Sequence, residues 1–357
     1  MEGTGLEKLG YGEWIQEIAA EYLKDDFSLA RVIEVNKNSY MVSDGEHEML
    51  AELSGRFMFN AEGVTDFPTV GDWVTIQAFD DSTYAIVHSV LPRKTLLKRK
   101  EPGKRIDFQL IAANIDFGLV MQSANHLNLN LLDRYFVMLH ESGIQPIAVF
   151  SKIDLVSPSE LAVLDNTLSR LRNEYLLISN ITDEGVEELS KRLIPGETYC
   201  LLGKSGVGKT SLLNNLLGTK AFRVDEVREK DGKGRHITTR RQLICIDSGG
   251  IIIDTPGMRE LGNFEIEDGL DQTFEEFSSY APKCCFRNCT HTHEDGCAII
   301  EAVKNGEIEK SRYKNYLKIR RESEFYEMSY QEKRTKDKSF GKMIKNYKKN
   351  TRKNQID

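Results

Sequence analysis

At 357 residues, with 40% hydrophobic and 29% charged side chains, the chain is long for one core and has the balance of a globular protein of two or three domains. No apolar run approaches the roughly 18 residues of a membrane span, and Met1-Glu2-Gly3-Thr4-Gly5 lacks the basic and apolar regions of a signal peptide. These features argue against a membrane-embedded or secreted protein, so the expected location is the cytoplasm, with reduced thiols.

The first element in chain order is a helix. Apolar residues at 14, 15, 18, 19, 22 and 23 form one stripe, expected to pack on a neighbouring domain. From Leu29 to Pro92 the period shortens. Ala30–Val35, Tyr40–Ser43, His47–Leu53, Asp72–Ala78 and Tyr84–Val90 read as strands separated by turn signals such as Ser43-Asp44-Gly45 and Asp80-Asp81-Ser82. Short strands at this spacing predict a small closed barrel of the OB type, a fold that binds oligonucleotides in some proteins and only docks in others. A basic connection follows, Pro92-Arg93-Lys94 and Lys98-Arg99-Lys100, either a solvated linker or part of an RNA-facing surface.

Strands and helices then alternate. Phe117–Met121, Pro146–Phe150 and Tyr175–Ile178 read as strands, and Leu131–Ser142, Pro158–Asn173 and Val186–Leu193 as helices. This order predicts a parallel sheet with helices on both faces and ligands at the carboxyl ends of the strands. Two of those ends carry chemistry. Ser151-Lys152-Ile153-Asp154 fits the guanine-reading pattern [NT]-K-x-D of GTPases except at its first residue. The Asp154 carboxylate can accept from guanine N1–H and the 2-amino group together, a donor pair that adenine lacks. The Lys152 stem can lie along the base, whereas Ser151 keeps a hydroxyl but loses the usual carboxamide. Ile178-Ser179-Asn180 stands where GTPases often carry a Ser-Ala pair behind the base; Ser179 fits and Asn180 departs.

Thr198–Leu202 reads as a buried strand, and Ser211–Leu217 as a helix ending at Gly218. Between them Gly203-Lys204-Ser205-Gly206-Val207-Gly208-Lys209-Thr210 fits the phosphate-loop pattern G-x-x-x-x-G-K-[ST] in its required strand–loop–helix context. Gly206 and Gly208 let the backbone approach an anion at the helix N-terminus, which Ser211 extends. Lys209 would reach the β- and γ-phosphates, and the Thr210 hydroxyl would hold Mg²⁺. The segment Lys230-Asp231-Gly232-Lys233-Gly234-Arg235-His236-Ile237-Thr238-Thr239 is a candidate switch, in which Thr238 or Thr239 supplies a second hydroxyl to Mg²⁺. After strands at Gln242–Ile246 and Ile251–Ile253 comes Asp254-Thr255-Pro256-Gly257, a D-x-x-G element 45 residues past Lys209. Asp254 would hold Mg²⁺ through water, and the Gly257 N–H would meet the γ-phosphate.

The guanine pattern begins 52 residues upstream of the phosphate loop, whereas ordinary GTPases have it downstream, so the domain reads as circularly permuted. Met258 stands where a Ras-like GTPase has the glutamine that orients water, and a thioether cannot do that work. His236 in the switch segment is the candidate catalytic group. Further on, Cys284, Cys289, His291 and Cys297 follow a C-x4-C-x-H-x5-C spacing, enough for one closed tetrahedral zinc site per chain. Cys285 and His293 are spare candidates for the same shell. Ala298–Val303 and Glu309–Met328 read as helices. The last 27 residues carry eight lysines and two arginines against Glu332, Asp337 and Asp357, a net +7 on a chain whose total is −7. Such a tail either meets a polyanion, commonly nucleic acid, or is a solvated end.

Taken in this order, the motifs resemble those of the circularly permuted, ribosome small-subunit-dependent GTPase A family (RsgA, also YjeQ or YloQ). The resemblance spans roughly residues 29–328. It includes the Val70-Gly71-Asp72 turn, Gln109-Leu110-Ile111-Ala112-Ala113-Asn114-Ile115-Asp116, Leu132-Asp133-Arg134-Tyr135, Gly234-Arg235-His236-Ile237-Thr238-Thr239, the D-x-x-G element and the zinc cluster. Ser151, Asn180 and Ile237 depart from the family pattern. The resemblance implies an OB-type β-barrel over residues 29–100 behind an N-terminal extension (1–28), and a permuted α/β P-loop GTPase domain over 101–270. It implies an α-helical zinc-binding domain over 271–330 before the basic tail (331–357). It implies GTP and GDP as nucleotides, and GTP hydrolysis stimulated by the small ribosomal subunit during its late maturation. The barrel and zinc domain would grip rRNA, the protein is expected to be a monomer, and His236 aligns with the histidine suggested as catalytic in that family. One alternative is a constitutive RNA-binding module whose nucleotide is structural. A small-molecule enzyme would need a second pocket with its own acid–base pair, and the sequence offers none.

Overall fold

The computed structural model describes residues 5–23, 26–36, 39–100, 108–169, 173–219, 241–255 and 267–327. A short helix α1 (Gly5–Lys8) and the amphipathic α2 (Glu13–Tyr22) lead into five strands: β1 (Ser28–Val35), β2 (Tyr40–Ser43), β3 (Glu48–Leu53), β4 (Trp73–Phe79) and β5 (Tyr84–Val90). The strands pair in the order β1-β2-β3-β5-β4, and β4 returns to β1, so they close an OB-like barrel. Alternate residues point inward, and Val32, Val42, Met49, Val74, Ile76 and Val87 fill the interior with no solvent exposure. Between β3 and β4 a helix, α3 (Gly55–Asn60), starts at Ser54, whose side chain accepts from the Phe57 N–H. Met58 and Phe59 on α3 are 61% and 88% exposed.

The basic stretch at residues 98–100 is part of a strand. β6 (Leu96–Lys100) pairs antiparallel with β7 (Phe108–Ala113), Lys98 lies over the Phe108 ring at 4.7 Å, and the Arg99 Nε donates to Gln109 Oε1 at 2.9 Å. Charged residues hide the alternation there, and the pairing partner lies beyond residues 101–107, so local pattern alone reads a linker.

A parallel α/β layer follows: β8 (Phe117–Ser123), α4 (Leu129–Glu141), β9 (Gln145–Ser151), α5 (Pro158–Leu168), β10 (Tyr175–Leu177), α6 (Val186–Arg192), β11 (Thr198–Gly203), α7 (Lys209–Leu216), β12 (Gln242–Cys245) and β13 (Ile251–Asp254). Spatial order is β10-β9-β8-β11-β13-β12. The chain winds outward from β8 to β10 and returns to the other side of β8 with β11, the connectivity of a circularly permuted sheet. Strands buried on both faces read as unbroken apolar runs. Val120, Ala148, Phe150, Cys200, Leu202 and Ile253 belong to one core with α4 and α5, whereas Leu119, Val149, Leu201 and Ile252 belong to a second with α6 and α7.

One strand departs from the parallel pattern. β12 runs antiparallel to β13 and also pairs with β1 of the barrel, Glu34 opposite Gln242, so barrel and α/β layer share one sheet. Gln242 Nε2 donates to Glu34 Oε2 at 2.7 Å across that joint. Beside it, Arg31 is 2% exposed and fastens four segments. Its guanidinium donates to the Leu9 carbonyl, to Gly71 O at 3.2 Å, to Asn114 O at 3.2 Å and to Thr198 Oγ1 at 2.9 Å, and lies 5.4 Å from the Trp73 ring centre. Burial brings its pKa down to about 10, against the pull of Asp116, Cys245 and Asp72, so it stays charged at neutral pH. Gly71 is needed in this junction: its φ is +91°, and a Cβ there would meet Ala113 O at 2.2 Å. Arg31→Met would strand three buried carbonyls and the Thr198 hydroxyl, acceptors on four segments. It is expected to cost about 3–5 kcal/mol, read as a lower midpoint in urea unfolding of the intact chain.

The chain forms two compact units, Met1–Gly262 and Asn263–Asp357. Among its described residues the second is helical: α8 (Glu267–Thr273), α9 (Glu275–Tyr280), α10 (Ala298–Lys304) and α11 (Lys310–Glu327). Phe277 stacks on Tyr316 at 4.4 Å, Phe274 meets Phe277 edge-on at 5.7 Å, and Arg312 covers Phe274 at 4.5 Å. Among the described residues no helix is long and apolar enough to cross a membrane.

Candidate functional site

Four strand ends of the α/β layer meet at one edge of the sheet: Ser151 closes β9, Ser179 follows β10, Gly203 closes β11 and Asp254 closes β13. Ligands of open parallel sheets bind outside such carboxyl ends.

The phosphate loop turns out of β11 and into α7. Gly203, Gly206 and Gly208 have φ of 136°, 81° and 95°. A Cβ on Gly203 would meet Met121 O at 2.3 Å, so the loop can leave the strand only through a glycine. Lys204, Ser205 and Gly206 are exposed at the loop tip, Val207 is buried, and Gly208, Lys209, Thr210 and Ser211 are half-buried where α7 begins. The Lys209 Nζ donates to the carbonyls of Gly203 at 2.8 Å and Lys204 at 2.9 Å, inside the loop's own curve. Loss of water lowers its ammonium pKa, and the nearby Asp254 carboxylate opposes this. A glycine-lined curve at a helix N-terminus, with an ammonium at its centre, fits a nucleotide's phosphates. Asp254 is buried at the end of β13, and the Thr255 Oγ1 donates to Leu201 O at 2.5 Å, joining this strand end to the phosphate-loop strand.

On the β9 side Lys152 takes a left-handed conformation (φ 62°), turning the chain so that Ile153 is buried and Asp154 is exposed. The Ser179 Oγ donates to Asp154 Oδ1 at 2.6 Å and accepts from the N–H groups of Ile181 and Thr182, both at 3.2 Å. Asp154 is thus held at one oxygen from the neighbouring strand end. Ser151 is fully buried, with its Oγ 2.5 Å from Val207 O and 3.2 Å from Gln122 O. His236, Thr238, Thr239, Gly257 and Met258 lie outside the described residues.

Two contacts at this edge join residues that no motif links. Asn180 Nδ2 donates to Gly208 O at 3.0 Å, and Asn215 Nδ2 donates to Asn180 O at 3.0 Å. The sequence marks Asn180 only as a departure from the Ser-Ala pair and says nothing of its reach to Gly208.

In the second unit, Cys284, Cys289, His291 and Cys297 bring their ligand atoms within 4.8 Å of one another. The Cys284 and Cys297 sulfurs are 3.9 Å apart, and the His291 Nδ1 lies 3.6 Å from the first and 3.5 Å from the second. A tetrahedral zinc ion has S···S and S···N edges of about 3.8 and about 3.5 Å, so the donors fit that ion. Removal from water, with the Cys297 and Cys284 thiols alongside, pushes Cys289 up to about 12, and a metal ion bound there would take the thiolate form. Burial and the Arg320 charge lower the His291 pKa, favouring the neutral imidazole a metal requires. Cys285 and His293 are exposed and lie outside the cluster.

The fold and the loops gathered at its edge define a circularly permuted P-loop domain fused to an OB-like barrel, with a Cys₃His cluster in a separate helical unit. The sequence model of the RsgA GTPase family matches residues 90–264. The small ribosomal subunit biogenesis GTPase RsgA 1 of Bacteroides thetaiotaomicron is 36% identical over 354 residues, covering 98% of each chain. The RsgA 2 protein of Vibrio parahaemolyticus is 34% identical over 354 residues, 98% of this chain and 94% of that one. Among solved structures, YjeQ from Thermotoga maritima superposes with a TM-score of 0.62 at 28% identity, over 82% of this chain and 97% of that one. YloQ, described as a circularly permuted GTPase, shares the fold with a TM-score of 0.59 at 24% identity, over 86% of this chain and 98% of that one. The chain belongs to the RsgA GTPase family. Membership makes it a GTP hydrolase, with GTP and GDP as its nucleotides and Mg²⁺ beside them.

Proposed function

We propose that this chain binds the small ribosomal subunit and hydrolyses GTP during late maturation of that subunit. The carrying observation is the convergence of Asp154, held by Ser179, with the phosphate loop at one sheet edge. Relatives named for small ribosomal subunit biogenesis support the biological role.

Asp154 reads guanine, the Lys152 stem lies along the base, and Ser151 and Ile153 fix the strand end that presents them. Gly203 to Ser211 wrap the phosphates, with Lys209 leaving its loop carbonyls for the β- and γ-oxygens. Thr210, one of Thr238 and Thr239, and Asp254 through water would hold Mg²⁺, and that ion would supply positive charge against the phosphates. The Gly257 N–H meets the γ-phosphate. His236 orients the attacking water, a task the Met258 thioether cannot perform.

Cys284, Cys289, His291 and Cys297 hold one Zn²⁺, which fixes the fold of the second unit. The barrel and that unit contact rRNA. On the barrel a hollow of about 470 Å³ is lined by the aromatic rings of Tyr22, Phe57 and His88 and by Arg56 and Arg93, with Asp66 beside them, a surface suited to stacking bases. The protein acts as a monomer in the cytoplasm.

Single-turnover GTP hydrolysis with and without purified small subunits tests this reading. Stimulation of roughly tenfold or more is expected, together with tighter co-sedimentation in a GTP analogue than in GDP. No stimulation and equal co-sedimentation would favour a constitutive RNA-binding module with a structural nucleotide.

A further inference from the structure

We infer that Asn180 is a positioning residue of the guanine pocket, supplying from the end of β10 the carboxamide that residue 151 lacks. This rests on reading residues 151–154 and 179 as that pocket. The guanine pattern calls for an amide-bearing or β-branched residue at 151, and this chain has serine. Ser151 Oγ has one proton for two carbonyl neighbours, Val207 O and Gln122 O, so it supplies a single tether from β9 to the phosphate loop.

A second tether comes from next door. β10 is hydrogen-bonded to β9, and Asn180 follows it by three residues. The Asn180 Nδ2 donates to Gly208 O at 3.0 Å. A Cβ on Gly208 would lie 2.7 Å from Asn180 Nδ2 and 4.0 Å from Ser151 Oγ, so the two side chains converge on one phosphate-loop residue from adjacent strand ends. An asparagine at 151 would compete for the space Asn180 fills. The Asn180 backbone is itself anchored: its carbonyl accepts from Asn215 Nδ2 on α7, which also donates to Asp183 Oδ1 at 3.1 Å. The short Ser151 and the long Asn180 thus form one compensating pair.

The arrangement carries a cost. Among the described residues, Asn180 Oδ1 is a buried acceptor without a partner, and such an atom destabilises a fold. Alanine at 180 would remove that burden, so stability alone does not account for the carboxamide. The bond to Gly208 does: it sets where the phosphate loop stands relative to Asp154.

The test uses the full chain and four variants: Asn180→Ala, Ser151→Asn, the double S151N/N180A, and Asp154→Asn. Fluorescent GDP titration with GTP and xanthosine triphosphate as competitors, KM and kcat for GTP, and melting temperature without nucleotide are measured for each. N180A is expected to weaken GDP binding and raise KM by about tenfold, with kcat within about twofold and no fall in melting temperature. The double variant should recover affinity to within about threefold of the parent, and S151N alone should gain nothing. Unchanged affinity in N180A, or a double variant as weak as N180A, overturns the pairing. If D154N loses guanine preference while N180A binds normally, the pairing alone falls. If D154N keeps guanine preference, the pocket reading falls and the pairing with it.

Discussion

Asp154→Asn is expected to convert the protein from a guanosine to a xanthosine nucleotide binder. Guanine offers two donors, N1–H and the 2-amino group, to a carboxylate that accepts both. An asparagine there sets its own N–H₂ against the 2-amino group, whereas xanthine presents a carbonyl at that position and restores the match. Losing the 2-amino bond and weakening the N1–H bond from a charged to a neutral acceptor amounts to about 3–4 kcal/mol, roughly a few-hundredfold loss of GTP affinity. The Ser179 Oγ, 2.6 Å from Asp154 Oδ1, can donate equally to an amide oxygen, so the variant side chain keeps its orientation. Competition of GTP, xanthosine triphosphate and ATP against a fluorescent GDP analogue measures the change. Preference for guanosine unchanged by this substitution would remove the pocket described above and, with it, the basis of the ribosomal role.

The second large effect concerns the Cys₃His cluster. Removing the metal with a strong chelator should unfold the Asn263–Asp357 unit while the nucleotide-binding unit stays folded. Structural zinc contributes apparent free energies of about 10–16 kcal/mol in small domains, more than the aromatic cluster of Phe274, Phe277 and Tyr316 can replace. Calorimetry should therefore lose one transition, and added Zn²⁺ should restore it. Cys289→Ala should bind no zinc by elemental analysis. Cys285→Ser, on an exposed side chain outside the cluster, should retain one ion per chain. A Cys289→Ala protein with full zinc content and both transitions would show that the four residues hold no structural metal.

What could be read from the sequence was local. β2 and β5 begin and end where alternation and turn residues put them, and the other barrel strands differ by at most two residues. Each is a short period-two segment bounded by its own turn. The strand–loop–helix at Gly203 was equally legible, because its glycines and its helix start lie within eight residues. Pairings that depend on distant partners were not. The β6–β7 hairpin hides behind Lys98 and Arg99, and β12 looks like any edge strand until Glu34, 208 residues away, is seen opposite Gln242. Arg31 has the composition of a surface residue and lies at the junction because Leu9, Gly71, Asn114 and Thr198 supply acceptors there. At the candidate site, Asp154 and Lys209 stand in motifs, whereas the Asn180–Gly208 contact arises only when two loops 28 residues apart share one sheet edge.

The sheet that runs from β10 through β12 into β1 also bears on how this molecule can be divided. A cut at residue 100, natural on domain arithmetic, would release a catalytic fragment with β12 as a raw outer strand and an empty socket where a guanidinium had been. Unprotected strands of that kind recruit one another, so such a fragment would tend to clump rather than work. The barrel and the α/β layer therefore have no clean seam between them, and either half is expected to be usable only with the other attached.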